Sequence, residues 1–434
     1  MAAVDAALRP SPRYRLLKAV RRLGLPLRWR PAGPAAFVTG SVGKTTACSM
    51  VAAILSADGR RVGLATSTGC FIGGRRVRRG DSSRPSWAAA LLAHPVIDVG
   101  VFETARGGLL LDGFPFRDCT VGAVLNVHDN HLGLGGIQSR EQLAQVKSAV
   151  AAAAGGLAVL NADEPLCMAM RPTVRATATC LVGRHPDAAG VREHLARGGL
   201  AAVLEPTAGD RPPRLSLRHG DHELAALSAA AIPATHGGRF EPAVTNALFA
   251  MAIAHGLGAG ADAIGRGLGS FRSDTSDNPG RMNFHHGLPF TLVATKVGGR
   301  LAADALTRFV ETLDVPNEKV LVVTEMGDRS HDWIRGMCRA FAPGFDRFVC
   351  CDWEDRRGRA PGEMARLLAE GFAAAGVAPA AITVEERHDA AIRRGCDGAA
   401  CGDLVVVVSP TSWRVPEILG LDARAPRQAV QEAA

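Results

Sequence analysis

The strongest constraint on the fold of this 434-residue chain is a glycine-containing loop between an apolar run and a helical pattern. The loop consists of Gly40, Ser41, Val42, Gly43, Lys44, Thr45 and Thr46. Its glycines let backbone amides approach phosphate oxygens, and the following helix offers its amino-terminal N–H groups. Lys44 can reach the terminal phosphates of ATP, and the Thr45 hydroxyl can bind Mg²⁺. A tight turn without a ligand is the alternative, but Gly-Lys-Thr-Thr directly after a strand favours a phosphate-binding P-loop.

Short apolar runs alternate with helical stretches along the chain. The predicted strands are 35–39, 98–102, 121–126, 157–161, 319–324, 347–350 and 404–409, and the first predicted helix is 44–57. This alternation predicts an α/β fold with a P-loop central domain and a mostly parallel sheet (34–279). A smaller Rossmann-like α/β C-terminal domain (280–434) follows it, and residues 1–33 form a basic lead-in. Apolar segments on both sides of residues 219–221 predict a hairpin inserted in the first domain.

Composition narrows the class of protein. Apolar residues make up 47% and charged residues 21% of the chain, as in ordinary folded domains. Much of the net charge of +8 lies in the first thirty residues, where a solvated helix face or tail is favoured over a nucleic-acid or membrane contact. No apolar run indicates a secretory signal or a membrane span. Ten cysteines without paired C-x-x-C motifs indicate reduced thiols and a cytoplasmic location.

Two further clusters lie at the ends of predicted strands. Glu103 ends one apolar run and is followed by Arg-Gly-Gly, and His131 lies in a histidine- and glycine-rich segment, 126–136, after the next run. In open α/β sheets, ligands collect at the carboxyl edge of the strands, so a carboxylate there can hold magnesium beside the phosphates. Taken alone, Glu103 would be a solvated strand end, His131 a structural histidine and Lys147, on the predicted helix 141–154, a surface charge.

Together these blocks resemble the Mur ligase superfamily, and most closely the C-terminal half of the cyanophycin synthetases. The resemblance extends from about residue 37 to residue 410. Beyond the P-loop, the matching segments are 73–76, 80–81, 103–108, 131–137, 160–165, 232–235, 279–281, 327–329 and 357–360.

The resemblance implies an ATP-dependent ligase that activates a substrate carboxylate as an acyl phosphate and joins it to an amine. Amino acids or short peptides are the implied substrates, with ATP and two Mg²⁺ ions as cofactors. By resemblance, residues 40–46, Asn246 and Arg281 bind the nucleotide, while Thr45, Glu103, His131 and Lys147 bind metal. Lys44, His131 and Lys147 are the implied catalytic residues. Lys147 matches a lysine that is often carbamylated in this superfamily, and the resulting carboxylate would hold the second magnesium ion.

The chain also departs from the family pattern. Only about thirty residues precede the P-loop strand, so neither the UDP-binding domain of Mur ligases nor the ATP-grasp region of cyanophycin synthetases is expected. The last domain has residues 293–298, Val-Ala-Thr-Lys-Val-Gly, where the family has Asp-Tyr-Ala-His-Asn-Pro. Asn130 replaces an acidic residue, and Val42 replaces an asparagine. These departures leave open an alternative function, a nucleotide-binding accessory or regulatory subunit with little ligase activity. A homo-oligomer or a partner enzyme is possible in either case.

Overall fold

The computed structural model describes residues 31, 33–130, 132–133, 135–207, 209, 211–285 and 287–421. The basic residues of the lead-in and His131 therefore lie outside the described residues. The described chain forms two compact units that meet in sequence between Arg272 and Ser273. We call the residues before this point unit 1 and those after it unit 2. The predicted division at 279/280 remains a prediction.

Unit 1 contains an eleven-stranded sheet whose order is β11-β10-β9-β8-β7-β6-β1-β5-β2-β3-β4. The strands are β1 (Ala35–Thr39), β2 (Val62–Thr66), β3 (Gly69–Ile72), β4 (Arg75–Arg79), β5 (Val99–Glu103), β6 (Cys119–Val124), β7 (Ala154–Asn161), β8 (Ala178–Gly183), β9 (Leu200–Glu205), β10 (Arg214–His219) and β11 (His222–Ser228). The seven neighbouring strands from β9 to β2 pair in parallel, and antiparallel strands extend both ends. The predicted mostly parallel sheet is confirmed, and so is the hairpin, which is formed by β10 and β11.

The helices of unit 1 cover this sheet. They are α1 (Lys44–Ala57), α2 (Pro85–Leu92), α3 (Arg106–Asp112), α4 (Arg140–Ala152), α5 (Pro165–Met168), α6 (Ala189–Ala196), α7 (Glu241–Gly256) and α8 (Ala261–Ser270). Helix α1 is apolar and packs against α7 and α8. A Cβ at Gly267 of α8 would lie only 2.3 Å from the Cα of Ile54, so glycine is required for the two helices to pack this closely. This packing fixes the helix that begins at the P-loop.

The order of the strands explains how the site is assembled. The P-loop strand β1 lies between β5 and β6 and is parallel to both. The carboxyl ends of all three strands therefore meet at one edge of the sheet. Glu103 is the last residue of β5, and Asn126 follows β6 by two residues. Residues far apart in sequence are in this way brought beside the P-loop, as expected for ligand sites in open α/β sheets.

Unit 2 has a six-stranded sheet of order β12-β13-β17-β14-β15-β16, in which only β12 is antiparallel. Its strands are β12 (Asn283–His285), β13 (Thr291–Thr295), β14 (Lys319–Val323), β15 (Arg347–Cys351), β16 (Ile382–Glu385) and β17 (Leu404–Val408). Its helices are α9 (Arg300–Glu311), α10 (His331–Phe341), α11 (Glu363–Ala374), α12 (His388–Asp397) and α13 (Val415–Leu419). The prediction of a second, smaller α/β unit is confirmed. Within the part of the chain described, every helix falls short of the length and apolar character needed to cross a membrane.

Candidate nucleotide and metal site

The P-loop turns at Gly43, which adopts a left-handed conformation with φ +84° at the amino-terminal cap of α1. A side chain here is excluded for two reasons. Positive φ is costly for residues with a Cβ, and a Cβ at position 43 would lie 2.4 Å from Oδ1 of Asn246. Asn246 is a buried residue of α7, so the structure places this predicted nucleotide-binding residue against the backbone of the loop.

The side chain of Asn126 holds the P-loop from the neighbouring strand. Its Oδ1 accepts hydrogen bonds from the backbone N–H groups of Ser41 (2.8 Å) and Val42 (3.0 Å), and its Nδ2 donates to the carbonyl of Val42 (3.2 Å). We did not predict a role for Asn126 from the sequence. The available signal is that it is the first polar residue after the apolar run of β6.

A second contact to the loop comes from His128, whose backbone N–H donates to Oγ of Ser41 at 3.0 Å. Burial lowers the pKa of the His128 imidazole to about 4, and the positive charge of Arg140 acts in the same direction. The imidazole is therefore neutral at pH 7. Arg140 is itself fixed, since its guanidinium donates to the carbonyl of Val127 at 3.0 and 2.8 Å.

Glu103 and the start of α1 form the most closely connected part of the site. Oε2 of Glu103 accepts hydrogen bonds from the Thr45 hydroxyl (2.8 Å) and from the backbone N–H of Ser67 (2.9 Å). Nζ of Lys44 lies 3.9 Å from Oε1 of Glu103 and donates to the carbonyls of Gly40 (3.0 Å) and Ser41 (3.3 Å). The hydroxyl of Ser67 lies 3.1 Å from that of Thr45, and we did not predict this neighbour from the sequence.

This cluster fits a hard divalent cation. Glu103 and Thr45 are both buried, with 6% and 5% of their surface exposed, and they present a carboxylate and a hydroxyl oxygen to each other. Oxygen ligands of this kind are those that Mg²⁺ binds, usually together with phosphate oxygens and water. Thr45 and Glu103 would hold the ion.

Lys147 lies on α4 and is only 2% exposed. Burial lowers the pKa of its amine well below the ordinary value, and the positive charges of Lys44 and Arg106 lower it further. No described carboxylate forms an ion pair with Lys147. Taken alone, a lysine on this helix would be a surface charge. In the structure it is a buried amine close enough to Lys44 for the charge of Lys44 to lower its pKa.

Within unit 1, the structure brings several of the predicted residues together. Lys44, Thr45 and Glu103 are in mutual contact, and Lys147 is within electrostatic reach of Lys44. Arg281 belongs to unit 2, where its guanidinium donates to the carbonyl of Gly280 at 3.1 Å. Thr46 is in the first turn of α1.

Two family models match this chain. The Mur ligase middle domain matches residues 38–195, and the Mur ligase glutamate ligase domain matches residues 280–410.

Curated relatives extend the similarity over most of the chain. It is 34% identical over 388 residues to the cyanophycin synthetase of Crocosphaera subtropica, covering 89% of this chain and 43% of that protein. It is 36% identical over 345 residues to the cyanophycin synthetase of Synechocystis sp., covering 78% of this chain and 38% of that protein. The chain thus spans about two fifths of the length of these relatives.

Solved structures show the same fold. A bifunctional folylpolyglutamate synthase/dihydrofolate synthase, crystallised with Mn, AMPPNP and L-glutamate bound, matches with a TM-score of 0.67 and 23% identity, covering 93% of each chain. A related Yersinia pestis crystal structure of such an enzyme, complexed with AMPPNP and Mn ion, matches equally well, with a TM-score of 0.67. At this level of identity the likeness establishes the architecture of the chain.

Proposed function

Because this chain belongs to the Mur ligase family, of which it carries the middle and glutamate ligase domains, we propose that it is an ATP-dependent ligase that joins a carboxylate to an amine. The observation that carries the proposal is the contact of Thr45 with Glu103 beside Lys44 at the end of the P-loop strand. A P-loop alone binds phosphates. A buried carboxylate hydrogen-bonded to the P-loop threonine adds oxygen ligands for a metal ion beside those phosphates.

In the proposed reaction, the γ-phosphoryl group of ATP moves to a substrate carboxylate as its bond to the β-phosphate oxygen breaks and ADP leaves. An amine then displaces phosphate from the acyl phosphate. The amide forms as the C–O bond to phosphate breaks and the amine loses a proton. Such chemistry requires positioning and neutralisation of negative charge more than covalent participation by the protein. Lys44 and the amides of the P-loop supply that charge and orientation. Magnesium, when bound, neutralises the phosphate oxygens.

We further propose that Lys147 is carbamylated. Its amine adds to CO₂, the new N–C bond forms, and one proton is released to give a carbamate. Only a neutral amine can do this, and the lowered pKa of Lys147 keeps the amine neutral over a wider range of pH. The carbamate would join Glu103 and His131 in holding a second metal ion. His131 is assigned by its motif alone.

The proposed substrates are an amino acid or short peptide on each side of the new bond, used in the cytoplasm, where ATP is present. The structures of related fold contain nucleotide and L-glutamate, which supports this class of substrate.

Release of phosphate from ATP and Mg²⁺ tests the proposal. We expect turnover that depends on an added pool of amino acids and short acidic peptides and that is abolished in Lys44→Ala. Lys319→Ala, a lysine at the start of β14 in unit 2, is the matched control and should retain full activity. A protein that binds ATP but turns over with no pool would instead be the nucleotide-binding accessory subunit, a role favoured by the replaced strand-end segment 293–298 of unit 2.

A further inference from the structure

The hydroxyl of Thr39 is a buried polar group at the end of the P-loop strand. Thr39 is the last residue of β1, and none of its surface is exposed. Its Oγ1 forms no hydrogen bond within the described part of the chain. A buried hydroxyl is costly unless another group bonds to it, because it has lost its contacts with water. Valine has nearly the same shape and would avoid this cost, so packing alone does not explain a threonine here.

The side chain of Thr39 faces helix α4. Side chains along a strand alternate between the two faces of the sheet. Phe37 packs in the apolar cluster that contains Val150 of α4, whereas Val38 packs in the cluster that contains residues of α1. Thr39 therefore lies on the same face as Phe37. Val124, which pairs with Thr39 in the register of β1 and β6, also packs in a cluster with residues of α4.

Lys147 lies on α4 at the level of Thr39. A Cβ at Gly122 of β6 would lie 2.3 Å from the carbonyl oxygen of Val150, so Val150 lies directly over Gly122. Helix α4 returns the chain from the carboxyl edge of the sheet to the start of β7, so residues before Val150 lie closer to that edge. Lys147 is three residues earlier, about 4.5 Å along the helix, which corresponds to between one and two strand residues beyond Gly122. This is close to the level of Val124, which pairs with Thr39.

The amine of Lys147 belongs to the side of α4 that faces the sheet. The buried residues of this helix recur at helical spacing and are Leu143, Ala144, Lys147, Val150 and Ala151. The helix packs against β1 as well as against β6 and β7. The Cβ atoms of a helix tilt toward its amino terminus, and here that direction is the carboxyl edge, where β1 ends. The charge of Lys44, whose Nζ donates to the carbonyl of Gly40, lowers the pKa of Lys147, which agrees with an amine beside the end of β1.

We propose that Thr39 positions the carbamate of Lys147 by donating a hydrogen bond from its hydroxyl to a carbamate oxygen. This inference rests on the carbamylation proposed above. Addition of CO₂ to the amine forms the N–C bond, releases one proton and carries the new oxygens about 2.2 Å beyond Nζ. These oxygens only accept hydrogen bonds, and a hydroxyl that donates to such an anion makes a strong, charge-assisted bond. Thr39 is thus a positioning residue, which stabilises the modified lysine without touching the substrate.

The same geometry disfavours a role for Thr39 in binding the nucleotide. The P-loop continues into α1, which covers the face of Val38, and Thr45 on that helix donates to Glu103 at 2.8 Å. Phosphate is expected at the amino terminus of α1. The hydroxyl of Thr39 lies on the opposite face of β1, so it faces the helix that carries Lys147.

Carbon-13 NMR of the full chain in buffer with ¹³CO₂ and Mg²⁺, without ATP, tests this proposal. The carbamate signal is identified as the one that Lys147→Met lacks, and its intensity against CO₂ concentration gives the half-saturation value. The variants are Thr39→Val, which keeps the shape but removes the hydroxyl, and Thr39→Ser, which keeps the hydroxyl. Thr324→Val, at a buried threonine directly after β14 in unit 2, is the matched control.

We expect half-saturation at about tenfold higher CO₂ in Thr39→Val, the effect of losing one hydrogen bond to a charged group. Thr39→Ser and Thr324→Val should change this value by less than about twofold, because neither removes that bond. Where turnover is measured, excess CO₂ should restore Thr39→Val to the rate of the parent protein, which a distorted P-loop would not allow.

An unchanged carbamate signal in Thr39→Val would overturn the proposal, because the hydroxyl would then bond to water or to another group. Equal losses in Thr39→Val and Thr39→Ser would also overturn it, since packing rather than the hydroxyl would be responsible. If the parent protein shows no signal that depends on Lys147, carbamylation and this inference fail together. The ligase is tested separately by phosphate release. If the carbamate behaves as expected but no donor turns over, the ligase proposal fails and the role of Thr39 remains.

Discussion

Replacement of Asn126 by alanine is expected to loosen the P-loop. The side chain of the asparagine makes three hydrogen bonds to the loop, at 2.8, 3.0 and 3.2 Å, and alanine removes all of them. The bond from the Ser41 N–H to the backbone carbonyl of residue 126, at 3.2 Å, remains. A typical hydrogen bond contributes about 0.5–1.5 kcal/mol net, so the three together contribute about 1.5–4.5 kcal/mol. Asn126 is half-buried, so water will replace part of the hydrogen bonding that the variant loses. We therefore expect local opening of the loop to become about 2 kcal/mol easier.

Amide hydrogen exchange measures this opening directly. A change of about 2 kcal/mol corresponds to roughly 30-fold faster exchange of the Val42 amide, because about 1.4 kcal/mol is a factor of ten. The Ser41 amide, which keeps its backbone hydrogen bond, should accelerate less. Mass spectrometry of a peptide covering residues 40–46 resolves such a change. Added ATP should slow the exchange again, since phosphate oxygens can accept hydrogen bonds from the same amides.

Asn161→Ala is the matched control. Asn161 ends the next strand, β7, and its side chain donates to the carbonyl of Leu125 at 2.7 Å and accepts from the N–H of Asp163 at 2.9 Å. The control thus removes a strand-end asparagine with its own hydrogen bonds but leaves the P-loop contacts in place. Unchanged loop exchange in Asn126→Ala, or equal acceleration in Asn161→Ala, would refute the assignment of Asn126 as the residue that holds the loop.

Two further predictions concern a glycine and a buried lysine. Gly43→Ala should weaken ATP binding at least tenfold in a nucleotide titration. The control is Gly59→Ala, which is also at positive φ but has no atom within 4 Å of the added Cβ, and it should lose only about 1 kcal/mol of stability from the backbone strain. Equal ATP affinity in the two variants would contradict this prediction. The Lys147 amine loses its proton at a lower pH in the folded chain than in the unfolded chain. Between these two pKa values the parent protein gains stability as pH rises, by at most about 1.4 kcal/mol per pH unit. Lys147→Met should therefore be the more stable protein at pH 6, by a margin that shrinks toward pH 9. Thermal unfolding midpoints of both proteins at pH 6, 7.5 and 9 measure this margin, and a constant margin would show that Lys147 does not titrate differently in the folded state.

Local patterns were sufficient to predict the P-loop and the position of Glu103. The helix predicted over 44–57 matches α1, and Glu103 ends β5 as expected. Both follow from short-range chemistry, since an apolar run gives a buried strand and Gly-Lys-Thr gives a strand–helix turn. The edge at which ligands bind then follows from the parallel sheet.

The roles of Asn126 and Lys147 depend on contacts that a single sequence does not contain. Asn126 reaches the loop only because β6 pairs directly with β1, and the register of that pair sets where its side chain lies. A polar residue after a strand does not reveal which strand will be its neighbour. Lys147 is buried because α4 packs over β6 and β7, whereas the same helix pattern would equally suit a solvated lysine.

The charges gathered at the site support the proposed carbamylation of Lys147. Lys44 and Arg106 both lower the pKa of Lys147, and Nζ of Lys44 lies 3.9 Å from the buried carboxylate of Glu103. This excess of positive charge favours the phosphates of a nucleotide and disfavours a proton on the most buried amine, Lys147. If that amine becomes a carbamate, a suppressed cation is replaced by an anion. The same site would then favour a second divalent cation. The positive charge that attracts the nucleotide would thus also keep the lysine in the neutral form that carbamylation requires.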